Sequence, residues 1–293
     1  MATNFNLNSV AMLCEFTSSV WTARILDRKA SGKVVDGAGA KSKDAARVNK
    51  NLLAGRTELA EIGQLVTEAR NYVYDNTLPW SDNGQRLLIG ARFAQLDAKM
   101  EQYKLQLNTK VSAFVQLYPT LITAQAMALG DMFNRAEFPL ASEIEHKFAL
   151  SCEYAPVPTA GDLRVDVGNQ AQDELRAKMD KLADKRGKQA MDDVNERFIA
   201  HLKRMADRLV TDTDAKTGEP VNRRFTETLV SSAFELCDLV ADYNLSNDPL
   251  LSLARKTLEE ALSGVTVETL RTDVGKRDDV RKTVNSILGR FSL

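Results

Sequence analysis

The chain has 293 residues, of which 44% are hydrophobic, 6% aromatic and 27% charged, a profile typical of a soluble, helix-rich protein of one or two domains. Its formal net charge of −1 provides no overall basic field that would indicate nucleic-acid binding. The three cysteines lie far apart without a CxxC pair, which argues against a disulfide framework or a zinc knuckle. Residues 1–16 have no basic n-region and no long apolar run, so we expect no signal peptide, no membrane segment and a cytoplasmic location.

The N-terminal third mixes ambiguous and clear patterns. Residues 10–26 suit a strand or a helix, and their β-branched and aromatic side chains favour a strand. Residues 29–44, rich in glycine, lysine and serine, predict a mobile loop. Apolar residues from Leu59 to Val73 recur at steps of three and four and predict a helix. It ends before residues 76–84, NTLPWSDNG, which are dense in turn formers.

Two long apolar stripes dominate the remaining pattern. The first runs from about Arg86 to Tyr118, where Pro119 is expected to stop or kink the helix. The second covers residues 169–211, on the order of 60 Å of helix at the usual rise per residue. We interpret the two as an antiparallel, coiled-coil-like pair; an ordinary helix bundle fits the same spacing equally well.

A short polar stretch interrupts the second stripe. Residues 183–189 include Asp184, Lys185, Arg186 and Lys188 around Gly187, and an apolar partner could not pack well against them. Two interpretations follow. The helix bends or projects into solvent here, or the basic residues meet an acidic partner, either protein or phosphate.

The segment between the long helices predicts a small sheet. Ser142 and Glu145 fit a capping box for a short helix that ends near His146. Residues 148–152 and 162–167 each alternate like strands, and PVPTAG between them excludes helix. We therefore predict a mainly α fold with a small antiparallel sheet (α+β), built from residues near 14–25, 147–154 and 162–167.

Three further helices are predicted after the long one. They lie near residues 225–243, from Pro249 to about Ser263, and near residues 280–291, and Asp248 is placed to cap the second. We divide the chain into an N-terminal helical region with the small sheet (1–168) and a region of the long helix and C-terminal helices (169–293), packed as one elongated unit.

Several ordered blocks carry a resemblance. VWTAR (20–24), NTLPWSDNGQRLL (76–88), PLASEIEHKF (139–148), PVPTAGDLRV (156–165) and SNDP (246–249) resemble a family of uncharacterised proteins from tailed phages, prophages and bacteria. Ala23 departs from its pattern, where glycine is common, and Leu163 stands where phenylalanine is common. The family's genes often lie near those of MoxR-type AAA ATPases and von Willebrand factor A-like proteins. The resemblance implies a phage-encoded protein in the host cytoplasm and, by association, an AAA ATPase partner.

Catalytic chemistry has little support in the sequence. The P-loop, dinucleotide-binding, HExxH and GxSxG motifs do not occur. His146 and His201 fall on different predicted helices, and Asp192, Asp193 and Glu196 fit a solvated helix face better than a metal site. We therefore expect no enzyme activity, no metal and no cofactor.

Two sets of residues are candidates for interaction. The first surrounds the two tryptophans and a predicted hairpin charge pair, where locking of the fold is favoured over an interface: Trp21, Arg24, Trp80, Asp82, Arg86, Asp162 and Arg164. The second is basic and could track phosphates, although interleaved acidic residues favour a solvated face: Lys185, Arg186, Lys188, Arg223 and Arg224.

These patterns leave three functional hypotheses. The leading one is a non-enzymatic phage interaction or assembly protein, homo-oligomeric and working with protein partners such as an AAA ATPase. The alternative is a nucleic-acid-associated protein that binds through the basic segments of the long helix. An enzyme is the least supported, because the catalytic motifs are absent from the sequence.

Overall fold

The computed structural model describes residues 7–159, 169–213, 220–222, 226–245 and 247–291. It is 67% helical with a small antiparallel sheet, which confirms the mainly α, α+β fold class. Among the described helices, none is both long enough and apolar enough to cross a membrane.

Helices and strands are mixed along the first half of the described chain, and helices predominate in the second half. The helices are α1 (Leu7–Val10), α2 (Arg28–Gly37), α3 (Glu58–Asp75), α4 (Gly90–Leu129), α5 (Ala141–Glu145), α6 (Asn169–Arg208), α7 (Leu229–Tyr243), α8 (Pro249–Leu262), α9 (Val267–Thr272) and α10 (Val274–Arg290). The strands are β1 (Ala11–Ser19), β2 (Arg24–Leu26), β3 (Asn49–Asn51), β4 (Leu78–Pro79), β5 (Gln85–Ile89), β6 (Ala149–Pro156), β7 (Thr211–Thr213) and β8 (Pro220–Asn222).

The largest sheet has four strands in the order β4-β5-β1-β6. Its central strand β1 and its edge strand β6 confirm the strands expected near residues 14–25 and 147–154. The third expected strand, at residues 162–167, lies outside the described residues. Two-stranded ladders join β2 to β3 and β7 to β8.

The sequence did not predict the hairpin of β4 and β5, and the expected helix start near Arg86 is wrong. Gly84 takes a φ of +91°, as its place in the turn requires, and the backbone N–H groups of Trp80 and Ser81 both donate to the carbonyl of Gln85. This turn pairs Leu78 with Leu87. Because the ladder uses the backbone groups that a helix would need, α4 begins only at Gly90.

Two compact units share the chain. The first comprises Met1–Cys14, Asp75–Phe93 and Tyr154–Leu293, and the second comprises Glu15–Tyr74 and Ala94–Glu153. Neither unit is one continuous stretch of sequence. The expected boundary at residue 168 stays a prediction.

The core of the first unit forms around the C-terminal half of α6. From Ala190 onward, Ala190, Val194, Phe198, Leu202 and Met205 belong to one apolar cluster with residues of α7, α8, α9, α10 and the β4–β5 hairpin. The elements packed directly on α6 are α7, α10 and β4. The stripe predicted from Met191 to Leu209 is therefore a core stripe.

Tyr243 joins α7 to the hairpin in the first unit. Its fully buried ring places the hydroxyl 3.0 Å from the carbonyl oxygen of Asn76 and 3.1 Å from that of Leu87, which share its single hydrogen, and the hydroxyl oxygen accepts from the N–H of Ile89 at 3.1 Å. Burial raises the pKa of Tyr243 well above its usual value, so the hydroxyl stays protonated. One side chain thus satisfies backbone groups on both sides of the hairpin.

Two arginines secure the ends of neighbouring helices in the first unit. Arg92 pairs with Asp242 at 2.6 Å and donates to the side-chain oxygen of Asn76 at 2.9 Å. The buried Arg277 donates to the carbonyls of Leu270 and Arg271 at 2.7 and 3.0 Å, which supplies partners for the last carbonyls of α9.

In the second unit, the neighbour of α4 is α3. Glu61 pairs with Lys110 at 3.1 Å, and the rings of Tyr72 and Tyr103 lie 6.2 Å apart. Since residue numbers rise along α3 while they fall along α4, the two helices run in opposite directions. The expected coiled-coil pairing of α4 with α6 is not confirmed.

Pro119 lies inside α4 instead of ending it. A proline removes one backbone hydrogen bond and crowds the preceding turn. Here Tyr118 before it and Leu121 and Ile122 after it are all buried. Their burial on one face offsets that loss, so the helix continues to Leu129.

Helix α2 replaces the first part of the loop expected over residues 29–44, and residues 38–44 form turns without a helix or strand. Asp27 caps α2, accepting from the N–H of Ala30 at 2.8 Å, and this bond is the main cause of the lowered pKa of Asp27. The buried ammonium of Lys50 lies 2.5 Å from Glu137, 3.8 Å from Asp27 and 2.8 Å from the carbonyl oxygen of Met132. The glycine- and lysine-rich composition of residues 29–44 gave no indication of this cap or of the buried ion pair.

The N-terminal cap of α5 differs from the one that the sequence predicted, whereas that of α8 agrees with it. The N-cap of α5 is Leu140, whose N–H donates to Glu143 at 3.2 Å, so the assignment of Ser142 as N-cap with Glu145 was wrong by two residues. Asp248 does cap α8, with Pro249 in its first turn, as expected. The helix ends at Leu262, and Gly264 follows with a φ of +70°.

Ala23 has a φ of +52° and is fully buried. That left-handed conformation favours glycine. Glycine, the residue that the family resemblance leads us to expect at position 23, would fit this backbone conformation better than alanine. The resulting strain is confined to the turn between β1 and β2.

We expect Tyr243→Phe to lower the free energy of unfolding by about 2 kcal/mol, because it leaves buried backbone groups of the hairpin without a partner. Urea unfolding followed by circular dichroism measures this. Tyr103→Phe in α4 is the matched control and should change stability by less than about 0.5 kcal/mol. Equal effects of the two substitutions would contradict the role given to the Tyr243 hydroxyl.

Candidate interaction surface

Histidine, aspartate and glutamate, the residue types that most often support catalysis, lie in different surroundings in the described chain. Among the described residues, no group of three or more histidine, cysteine, aspartate or glutamate side chains could hold a metal ion. His146 is exposed just after α5. His201 is buried in α6, and burial, helped by Arg204, lowers its pKa. Asp193 is held in an ion pair with Arg197 at 2.7 Å.

The cysteines are buried or partly buried thiols. Cys14 and Cys237 are buried, and Cys152 is half-buried. Burial raises the pKa of Cys237 to about 12, which removes its thiolate at neutral pH. The thiol of Cys237 also lies 4.0 Å from the carbonyl oxygen of Arg255.

Trp21 belongs to an aromatic cluster inside the second unit. Its ring lies 5.8 Å from that of Tyr118, edge-on, and 6.4 Å from that of Phe114. Phe148 packs against Phe114 at 5.9 Å. This arrangement is the packing expected of aromatic side chains in a core, and it supports fold locking for Trp21. Arg24 lies exposed in β2, opposite Asn51.

Trp80 and Arg186, taken from the two different candidate sets, lie together in the first unit. Trp80 is 4% exposed and belongs to the core cluster, as the cost of leaving tryptophan in water predicts. The Arg186 guanidinium lies 5.6 Å from the centroid of its ring, a cation–π distance. Arg186 is therefore engaged inside the protein.

The other candidates separate. Asp82 is exposed in the hairpin turn. Arg86 is half-buried and donates to the hydroxyl and carbonyl of Thr77 at 2.6 and 2.9 Å. Lys185 and Lys188 are exposed on α6. Four candidates lie outside the described residues: Asp162, Arg164, Arg223 and Arg224.

The N-terminal half of α6 carries an apolar stripe outside the core. Leu182 is 45% exposed, and Leu175 and Met179 are half-buried. None of the three belongs to the core cluster or packs against it, which within the described chain takes residues of α6 only from Ala190 onward. We call Leu175, Met179 and Leu182 the exposed stripe.

The exposed stripe and the buried stripe lie on different faces of one helix. At about 100° per residue, the exposed stripe is rotated by about a third of a turn from the side chains of Val194, Phe198, Leu202 and Met205, all of which are buried. The change occurs over the polar stretch predicted to interrupt the pattern. The interruption of the apolar pattern is thus a change of face, and the helix itself is continuous from Asn169 to Arg208.

Sequence reasoning missed the residues that hold the units together internally. Lys50, Tyr243 and Arg277 are all buried polar side chains with several partners. No spacing marks them, because their partners are backbone carbonyls or residues far along the chain. Only the capping position of Asp27, just before a possible helix, was a usable signal.

Comparison with known proteins found no match to the chain among protein-family models, curated proteins or solved structures.

We expect Trp80→Ala to destabilise the protein by about 3–5 kcal/mol, because it removes a large core side chain. Arg186→Gln removes only the cation–π contact and should cost about 0.5–1 kcal/mol. Thermal and urea unfolding measure both. An unchanged melting temperature for Trp80→Ala would contradict its place in the core.

In the native protein at pH 8, iodoacetamide should modify Cys152 well before Cys14 and Cys237, because the last two are buried and the pKa of Cys237 is raised to about 12. Peptide mapping by mass spectrometry gives the order. In guanidinium chloride the three rates should become similar. Rapid alkylation of native Cys237 would show that its burial is wrong.

Proposed function

We propose that this chain is a non-enzymatic interaction protein that binds a protein partner through the N-terminal half of α6. The observation that carries the proposal is the exposed stripe. Apolar side chains at helical spacing on an exposed face are typical of a face that another helix covers. The same helix is anchored by its buried C-terminal half, so it offers a preformed surface.

The biological setting we propose follows the family resemblance. The ordered blocks favour a phage-encoded protein that acts in the cytoplasm of the bacterial host during assembly or a related process. A MoxR-type AAA ATPase is a candidate partner, supported by gene neighbourhood in the resembling family. Homo-oligomerisation is also part of the proposal, through a surface other than the exposed stripe.

Nucleic-acid binding through the long helix is the alternative. Lys185 and Lys188 are exposed and available for it. Arg186 instead contacts Trp80, and exposed carboxylates at Asp180 and Asp184 accompany the lysines. Carboxylates repel phosphates, so the described geometry favours a protein partner.

A position-specific cross-link tests the proposal. The photo-cross-linker p-benzoyl-L-phenylalanine replaces Leu182 in the exposed stripe or, as control, Ala177. Both positions are exposed on α6, and Ala177 lies about half a turn away around the axis. We expect a discrete protein adduct from position 182 in phage-infected cells and none from position 177, read by immunoblot and identified by mass spectrometry.

Adducts of equal yield at the two positions would mean that the helix is touched without preference, and the proposal would fail. A cross-link to nucleic acid at position 182 would favour the alternative. Circular dichroism of both purified variants verifies that each is folded.

A further inference from the structure

We infer that the exposed stripe binds an acidic amphipathic helix of a partner protein. The inference rests on the proposed function and specifies its ligand. It comes from the charges that border the stripe, which are positive, whereas the back of the same helix carries both signs.

The stripe has the geometry of a narrow helix-pairing seam. Leu175, Met179 and Leu182 follow one another at steps of four and three, the spacing of alternating seam positions in a coiled coil. Arg186, four residues on, ends the seam where its guanidinium turns to Trp80. About three helical turns are therefore available to a partner.

Cations border this seam on both sides. Arg176 lies about a quarter turn to one side of the stripe's centre, and Lys178 and Lys185 lie about a quarter turn to the other. All three are exposed. Arg176 pairs with Asp173 at 3.8 Å, a long and exposed contact that contributes little to stability.

The carboxylates of this half-helix lie farther round, on the back. Asp173, Glu174, Asp180 and Asp184 are all exposed, and each is more than about 100° from the centre of the stripe. Among residues 173–186 the charges bordering the stripe are therefore positive, whereas the back carries these carboxylates together with Lys181. A partner that lays an apolar stripe on the seam meets cations at its edges, so acidic flanking residues complement it.

A second copy of this chain does not fit the seam. Pairing of the stripe with itself, parallel or antiparallel, would place Lys178, Lys185 and Arg176 against one another. Like charges that flank a helix pair oppose association. The seam therefore favours a different chain with the opposite flanking charge.

Membranes and nucleic acids fit less well. Helices that lie in a membrane surface present a broad apolar face with aromatic residues, whereas this seam is narrow and carries no aromatic side chain. Phosphate tracking needs cations at the centre of the contact, whereas here leucine and methionine occupy the centre. An acidic helix matches both the seam and its border.

Two designed peptides of about 21 residues test the inference. Both carry leucine at the seam positions, one with glutamate and the other with lysine at the flanking positions. Each fluorescein-labelled peptide is titrated with the full chain, and anisotropy is measured in 50 and 300 mM NaCl. We expect the acidic peptide to bind at least tenfold more tightly than the basic one, with a weaker affinity at the higher salt.

Matched charge reversals locate the contact. Lys178→Glu with Lys185→Glu changes the border of the seam, whereas Lys181→Glu with Lys188→Glu makes the same chemical change on the back. All four lysines are exposed on α6. The border pair should weaken acidic-peptide binding at least tenfold, and the back pair less than threefold. Circular dichroism confirms that α6 is retained in both variants.

Binding of both peptides with equal affinity, or of neither, would overturn the inference. So would equal losses from the border and back pairs. Vesicles with 30% phosphatidylglycerol and a 20-base-pair DNA duplex are titrated in parallel. Binding of either at affinities that the acidic peptide does not reach would also overturn it.

The cross-linking result separates this failure from that of the proposed function. A protein adduct at position 182 without preference for the acidic peptide removes only the inferred chemistry. Selective peptide binding without an adduct in cells supports the inferred chemistry and removes the proposed function.

Discussion

Burial of one stripe along the C-terminal half of α6 is the constraint on which the first unit depends. Helices α7 and α10 and strand β4 all pack on this half-helix, and the apolar cluster extends from it to α8 and α9. Tyr243 then ties α7 to the hairpin through backbone groups that would otherwise be buried without partners. Within the described chain this cluster takes residues of α6 only from Ala190 onward, so Leu175, Met179 and Leu182 lie outside it.

Patterns with a strong period were predictable from the sequence. The stripes of α3 and α6, the cap at Asp248 and the turn at Gly84 each appear where spacing and turn chemistry indicated. Failures occurred where long-range packing outweighed local preference. Pro119 is tolerated because buried side chains flank it, and α2 forms in a glycine-rich stretch because Asp27 caps it.

The candidate residues were predictable as a set but not in their arrangement. Trp80 and Arg186 are separated by more than a hundred residues, and nothing in either local pattern indicates that they meet. Likewise, α3 and α6 have similar apolar periodicity, so the sequence alone did not show that α4 packs against α3. A stripe shows that a helix will be covered, whereas the identity of its cover depends on the whole fold. The sequence showed the interruption of the apolar pattern in α6 but did not show that it marks a change of face.

The interleaving of the two units has a consequence for biosynthesis. Every residue assigned to the second unit precedes Tyr154, so that unit leaves the ribosome before α6 emerges. The first unit needs β4 and β5 from early in the chain and α7 and α10 from its end. Its early strands must therefore wait, with Leu78, Leu87 and Ile89 uncovered, until the last helix emerges. In that interval these apolar strands are open to chaperones and to misassembly.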